Sequence, residues 1–147
     1  MKIQGVGHVV LKVRDLERSK AFYAGVLGLK EVARFPERMI FFSAGDNHHD
    51  MAVMAVGADA PSPPDDAVGL AHVALKIGDS LDRLREAKAQ LDAHRVLIQG
   101  TRDHRVSQSI YCEDPDGNTV ELFVDGDPAI WAEDPSTVAT IKPLDLG

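Results

Sequence analysis

A chain of 147 residues, 44% apolar and 27% charged, has the size and composition of a single globular domain. Its formal net charge of −7 argues against nucleic acid or an anionic membrane surface as a partner. The lone cysteine, Cys112, excludes an internal disulfide and suits a reducing cytoplasm, and no apolar run approaches the roughly 18 residues of a membrane span.

Residues Met1 to His8 lack the continuous apolar segment of a signal peptide. Val6 to Val13, rich in β-branched residues, reads as a buried strand. Asp15 can cap a helix that carries Leu16, Phe22, Tyr23, Val26 and Leu27 roughly on one face and ends at Gly28. Strands are predicted over 30–35, 39–43 and 51–56, separated by Pro36-Glu37-Arg38 and by Ala44-Gly45-Asp46-Asn47. Residues 58–68, with three prolines and no apolar periodicity, read as a linker.

The second half repeats the order. A strand over 70–77 precedes a helix capped by Asp79 or Ser80, with Leu81, Leu84, Ala87, Leu91 and the Lys88 stem facing inward. Strands follow over 96–100, 106–113 and 119–124, and Asp114-Pro115-Asp116-Gly117-Asn118 is a strong turn signal. His94 ends the helix, where its side chain suits the dipole, and Cys112 reads as core. The expected class is therefore α+β: two βαβββ modules, about 1–57 and 69–126, building one curved mixed sheet around a central metal-binding cavity. They make one domain over 1–126, and 127–147 is a C-terminal extension on the surface or over the cavity mouth.

The halves also share residues. Gly7-His8-Val9-Val10-Leu11-Lys12-Val13-Arg14-Asp15 returns as Ala71-His72-Val73-Ala74-Leu75-Lys76-Ile77-Gly78-Asp79, with His, Val, Leu, Lys and Asp at matching places. Strand parity puts His8 on the face of Val10 and Lys12, and His72 on that of Ala74 and Lys76. Glu121 lies in the last strand, on the face of Thr119 and Phe123. A lone histidine is more often a packed core residue. Two equivalent histidines and a strand carboxylate in one concavity would leave polar groups unpaired without an ion. His8, His72 and Glu121 are thus candidate ligands for a divalent metal, with Fe²⁺, Mn²⁺, Zn²⁺ and Ni²⁺ all compatible.

The opening Gly7-His8-Val9-Val10-Leu11-Lys12-Val13-Arg14-Asp15-Leu16-Glu17-Arg18-Ser19 and the closing Asp114-Pro115-Asp116-Gly117-Asn118 with Glu121-Leu122 resemble the vicinal oxygen chelate superfamily, the glyoxalase/bleomycin-resistance/extradiol-dioxygenase fold. The resemblance covers roughly residues 1–126. It implies that His8, His72 and Glu121 are metal ligands, and that Fe²⁺ is the metal if the chain is an extradiol-type dioxygenase. That reaction cleaves the ring of a catecholic substrate with O₂. Glyoxalase-type relatives use a fourth ligand from the last strand of the first module, and that strand is apolar here. His48-His49-Asp50-Met51-Ala52-Val53 resembles the segment bearing the acid/base histidine, with the match on His49; read without the family, it is equally a solvated turn. The resemblance also assigns substrate contact to His104 and Tyr111, although Arg105 stands where glycine commonly follows the histidine. It implies a homodimer. Other metal-dependent lyases, isomerases or epimerases of the fold, and a metal-free binding or resistance protein, are the alternatives.

Overall fold

Strand pairing in the computed structural model, which describes residues 1–147, yields two sheets, and the chain divides into two compact units. The first comprises Met1–Ala67 and Pro115–Gly117; the second comprises Val68–Asp114 and Asn118–Gly147. The α+β class and the βαβββ order hold in both halves. The sheets have four and five strands, where one continuous curved sheet is expected, because each module's first strand takes its own last strand as parallel partner.

In the first unit, β1 (Val9–Val13) leads to α1 (Leu16–Lys20), which runs on as a π-helical turn over Ala21–Val26. Then come β2 (Lys30–Phe35), β3 (Met39–Ser43) and β4 (Met51–Ala55), in the order β1-β4-β3-β2. Asp15 caps α1 by accepting from the Arg18 N–H at 2.8 Å. β1 starts later than the apolar run suggests, since Val9 pairs with Met51 at the very start of β4 and residues 6–8 have no strand alongside. Leu11, Val13, Ile40, Phe42, Met51 and Val53 are buried with Phe22 and Tyr23. Tyr23 sets its ring 5.9 Å from that of Phe42. Arg14 fastens the linker: its guanidinium donates to the Ala60 carbonyl at 2.7 Å, the Ser62 hydroxyl at 2.8 Å and Asp116 at 3.1 Å.

In the second unit, β5 (Val73–Gly78), α2 (Leu81–Ala93), β6 (Ile98–Asp103), β7 (Ser107–Glu113) and β8 (Thr119–Asp125) repeat the plan. Leu84 and Leu91 are the buried stripe of α2, with Ser80 and His94 at its two caps. Cys112 is buried, and that burial pushes its thiol up to about 11. The extension 127–147 is structured. It forms α3 (Pro128–Glu133), a 3₁₀ turn (Pro135–Ala139) and β9 (Lys142–Pro143), which pairs with β6 to give the order β5-β8-β7-β6-β9. A proline fits this strand because it lies at the sheet edge. No helix is long and apolar enough to cross a membrane.

The turn between β6 and β7 is strained. Arg105 holds φ 66°, a left-handed conformation that favours glycine, and Asp103 accepts its N–H at 2.7 Å. Gly126 passes so close that a Cβ there would lie 2.4 Å from the Arg105 carbonyl oxygen. Gly126→Ala should therefore lower the unfolding free energy by about 2 kcal/mol in a urea titration. Arg105→Gly should leave it level or slightly raised, since relief of the left-handed cost of about 1 kcal/mol offsets the added chain entropy.

Candidate functional site

Glu121 occupies the middle of β8 and is buried at 7% exposure. Cross-strand register places Tyr111 of β7 directly opposite it on one side and Ala74 of β5 on the other. His72, two residues before Ala74 and just ahead of β5, reaches the carboxylate with Nε2 3.0 Å from Oε2. The Ser109 hydroxyl, itself fully buried, donates to Oε1 at 2.5 Å. A buried carboxylate needs such partners, because unpaired it would lose its hydration without return. The phenol of Tyr111 is pushed up to about 12, first by burial and then by the negative charge of Glu121.

A second contact leads away from Tyr111. His104 places Nε2 3.0 Å from the Tyr111 hydroxyl and Nδ1 2.8 Å from the Thr140 carbonyl. A carbonyl only accepts, so Nδ1 carries the hydrogen, and in the neutral ring Nε2 offers its lone pair to Tyr111. The C-terminal segment thereby fixes the tautomer of a candidate site residue. Trp131, Pro135 and Val138 of the same segment wall a cavity of about 400 Å³ against Val106 and Phe123.

In the first unit, His8 immediately precedes β1, as His72 precedes β5. Its ring centroid lies 4.3 Å from that of His49, which also meets Phe41 edge-on at 5.4 Å. The Asn47 side chain donates to the His49 carbonyl at 2.9 Å, and Asp50 accepts from the Ala44 N–H at 2.7 Å, so the loop is tied internally. His48 and His49 face each other through their Nδ1 atoms at 2.6 Å. Partial burial, then the charges of His8 and His48, lower the His49 pKa from its ordinary value, and Asp50 opposes them.

Of the three candidate ligands, His72 and Glu121 are brought together; His8 lies against His49 in the other unit. No group of three or more His, Cys, Asp or Glu side chains is arranged to hold a metal ion. The pair itself suits one: donor bonds of roughly 2.1 Å meeting near a right angle stand roughly 3.0 Å apart, and imidazole with carboxylate is a common donor set. Ala52 faces Val10 in the register that sets Glu121 beside Ala74, so the first module carries no equivalent carboxylate. Sequence reading missed Ser109 and Thr140. Ser109 shares the face of Tyr111 by simple alternation, a usable signal, whereas nothing in the sequence marks the Thr140 carbonyl.

The profile of the Glyoxalase/Bleomycin resistance protein/Dioxygenase superfamily matches residues 5–122. The chain belongs to this superfamily. It is 34% identical over 130 residues to a catechol-2,3-dioxygenase of Bacillus subtilis, covering 88% of this chain and 44% of that protein. It is 31% identical over 125 residues to the metallothiol transferase FosB of Lysinibacillus sphaericus, covering 83% of each. The chain spans 44%, 63% and 61% of the first three dioxygenases it matches, so it is well short of their full length. A crystal structure of a glyoxylase/bleomycin resistance protein/dioxygenase domain from Frankia sp. EAN1pec superposes with a TM-score of 0.70 at 19% identity, covering 86% of this chain and 96% of that one. Superfamily membership spans ring-diol dioxygenases, lyases and thiol transferases and leaves the reaction to be argued from the site.

Tyr111 gives the site a spectroscopic handle. Because its folded pKa is raised, the neutral phenol favours the folded state; that stability is lost as pH climbs from about 10, the unfolded value, to about 12. The difference between ultraviolet titrations of the metal-free native chain and of Tyr111→Phe should show one late tyrosinate, the fully buried Tyr23 contributing to both, and the variant should lose stability less steeply over that window.

Proposed function

We propose that the chain is a metal-dependent, extradiol-type ring-cleaving dioxygenase acting on a catecholic substrate with O₂. The observation that carries this reading is the paired His72 imidazole and buried Glu121 carboxylate, with Ala52 rather than a carboxylate at the matching place in the first module. In this reading His8 is the third ligand, supported by its position just ahead of β1. Three protein ligands leave coordination positions free for two small guests. The similarity to proteins named as catechol and biphenyl-diol dioxygenases supports the same choice. A glyoxalase-like lyase or isomerase with a fourth ligand on β4 is disfavoured by Ala52.

Fe²⁺ bound by these residues would supply Lewis acidity toward the diol and one-electron chemistry toward dioxygen. His49, whose pKa is lowered by partial burial and then by His8 and His48, is the base that takes the diol proton, at Nε2 where its Nδ1 donates to His48. Tyr111 and His104 hold substrate oxygens by hydrogen bonds, His104 through the Nε2 that its bond to Thr140 leaves facing the site. The homodimer and the single functional domain over 1–126 belong to the same proposal.

The test is anaerobic loading with Fe²⁺, followed by oxygen uptake with a panel of catechol and dihydroxybiphenyl substrates. Uptake should be coupled to ring cleavage. Glu121→Ala should lose bound metal and uptake together. His49→Ala should keep its metal while turnover falls by about 10²-fold or more. No uptake with any diol, or full metal retention in Glu121→Ala, defeats the reading.

A further inference from the structure

Beside Tyr111 the second unit holds another cavity, of about 280 Å³, lined by Gln99, Gly100, Arg102, His104, Tyr111 and Ile141. Its one formal charge is the Arg102 guanidinium. Three carboxylates of the same sheet are engaged elsewhere. Asp103 accepts from Gln108 at 3.0 Å and from the Arg105 N–H at 2.7 Å. Glu113 accepts from Gln99 at 2.9 Å, and Glu121 is held by Ser109 and His72. Arg102 itself spends Nη1 on the Thr101 carbonyl at 2.7 Å and forms no ion pair. Gly100 makes the room: a Cβ there would come within 3.0 Å of Arg102 Nη1. In a chain of net charge −7, this is a local cation left without an anion.

We propose that this cavity is a subsite for the carboxylate of the substrate, so that the substrate class is an aromatic diol bearing a short acidic side chain. A guanidinium fork matches a carboxylate in a plane, the size of the cavity suits a small group, and Ile141 with the Tyr111 ring supplies apolar walls for the body that carries it. Ile141 comes from the C-terminal segment, so that segment completes the subsite. The diol end of this substrate rests on the function proposed above; the acid end rests on Arg102 and is measurable without metal or turnover.

The experiment is an NMR titration of the full, metal-free chain at low ionic strength, following the His104 ring and Ile141 methyl signals. Phenylacetate and its neutral isostere phenylacetamide are the probes. Phenylacetate should bind about tenfold more tightly, the gain expected of a charge-assisted hydrogen bond. Arg102→Met should erase that preference, and Arg102→Lys should keep part of it. Equal binding of the two probes to the native chain, or a preference that survives Arg102→Met, overturns the subsite. An Arg102-dependent preference in a protein that consumes no oxygen with any diol would uphold the subsite and remove the ring-cleavage reading alone.

Discussion

A carboxylate buried in the middle of a strand sets the terms for the second unit. Donors must replace the water that Glu121 gave up on burial. Ser109 supplies one from the next strand, and the His72 imidazole supplies another at 3.0 Å. An apolar residue at position 121 would pack this sheet at lower cost, as Ala52 does at the corresponding place in the first unit. Exchange of the imidazole hydrogen for a divalent cation would leave the carboxylate still paired and the imidazole still engaged. The arrangement is therefore satisfied without an ion.

From Glu121 the polar contacts run outward to the C-terminal segment. Tyr111 has one hydrogen and two acceptors within reach, the Glu121 carboxylate and the His104 Nε2. The Thr140 carbonyl removes one degree of freedom by holding the other His104 nitrogen protonated. Whatever changes the demand at Glu121 then decides which way the Tyr111 hydroxyl points. The extension could have been a surface appendage. Instead β9 lies along β6, and two of its neighbouring residues, Thr140 and Ile141, meet His104 and the small cavity beside it.

Much of this was legible in the sequence, for physical reasons that differ by element. The strands at 30–35 and 39–43 appear as expected, because turn residues bound them tightly on both sides. The two strands expected to bear His8 and His72 start about three residues late, just after each histidine; apolar content cannot reveal where the partner strand begins. Tyr111 opposite Glu121 follows from counting across a short turn, and the structure pairs them. Strand parity alone does not bring His8 to His72 and Glu121, and no group of three or more His, Cys, Asp or Glu side chains is arranged to hold a metal ion. Thr140 acts through its backbone, which every residue type shares, so its identity carried no message.

The turn that carries His104 shows how a costly backbone conformation is held. Arg105 adopts a left-handed backbone at φ 66°, a conformation that favours glycine. The fold meets that cost locally: Asp103 takes the Arg105 N–H and the Gln108 amide, and these two bonds, Gln108 first, draw its pKa below the ordinary carboxylate value. By linkage the support is fully present above the unfolded pKa of Asp103 and is lost as pH falls through its lowered folded value. The turn thus keeps the backbone path that aims His104 at Tyr111, while tying that path to an ionised aspartate one residue before the histidine. It also commits Asp103 to the turn, on the face of β6 opposite to Arg102.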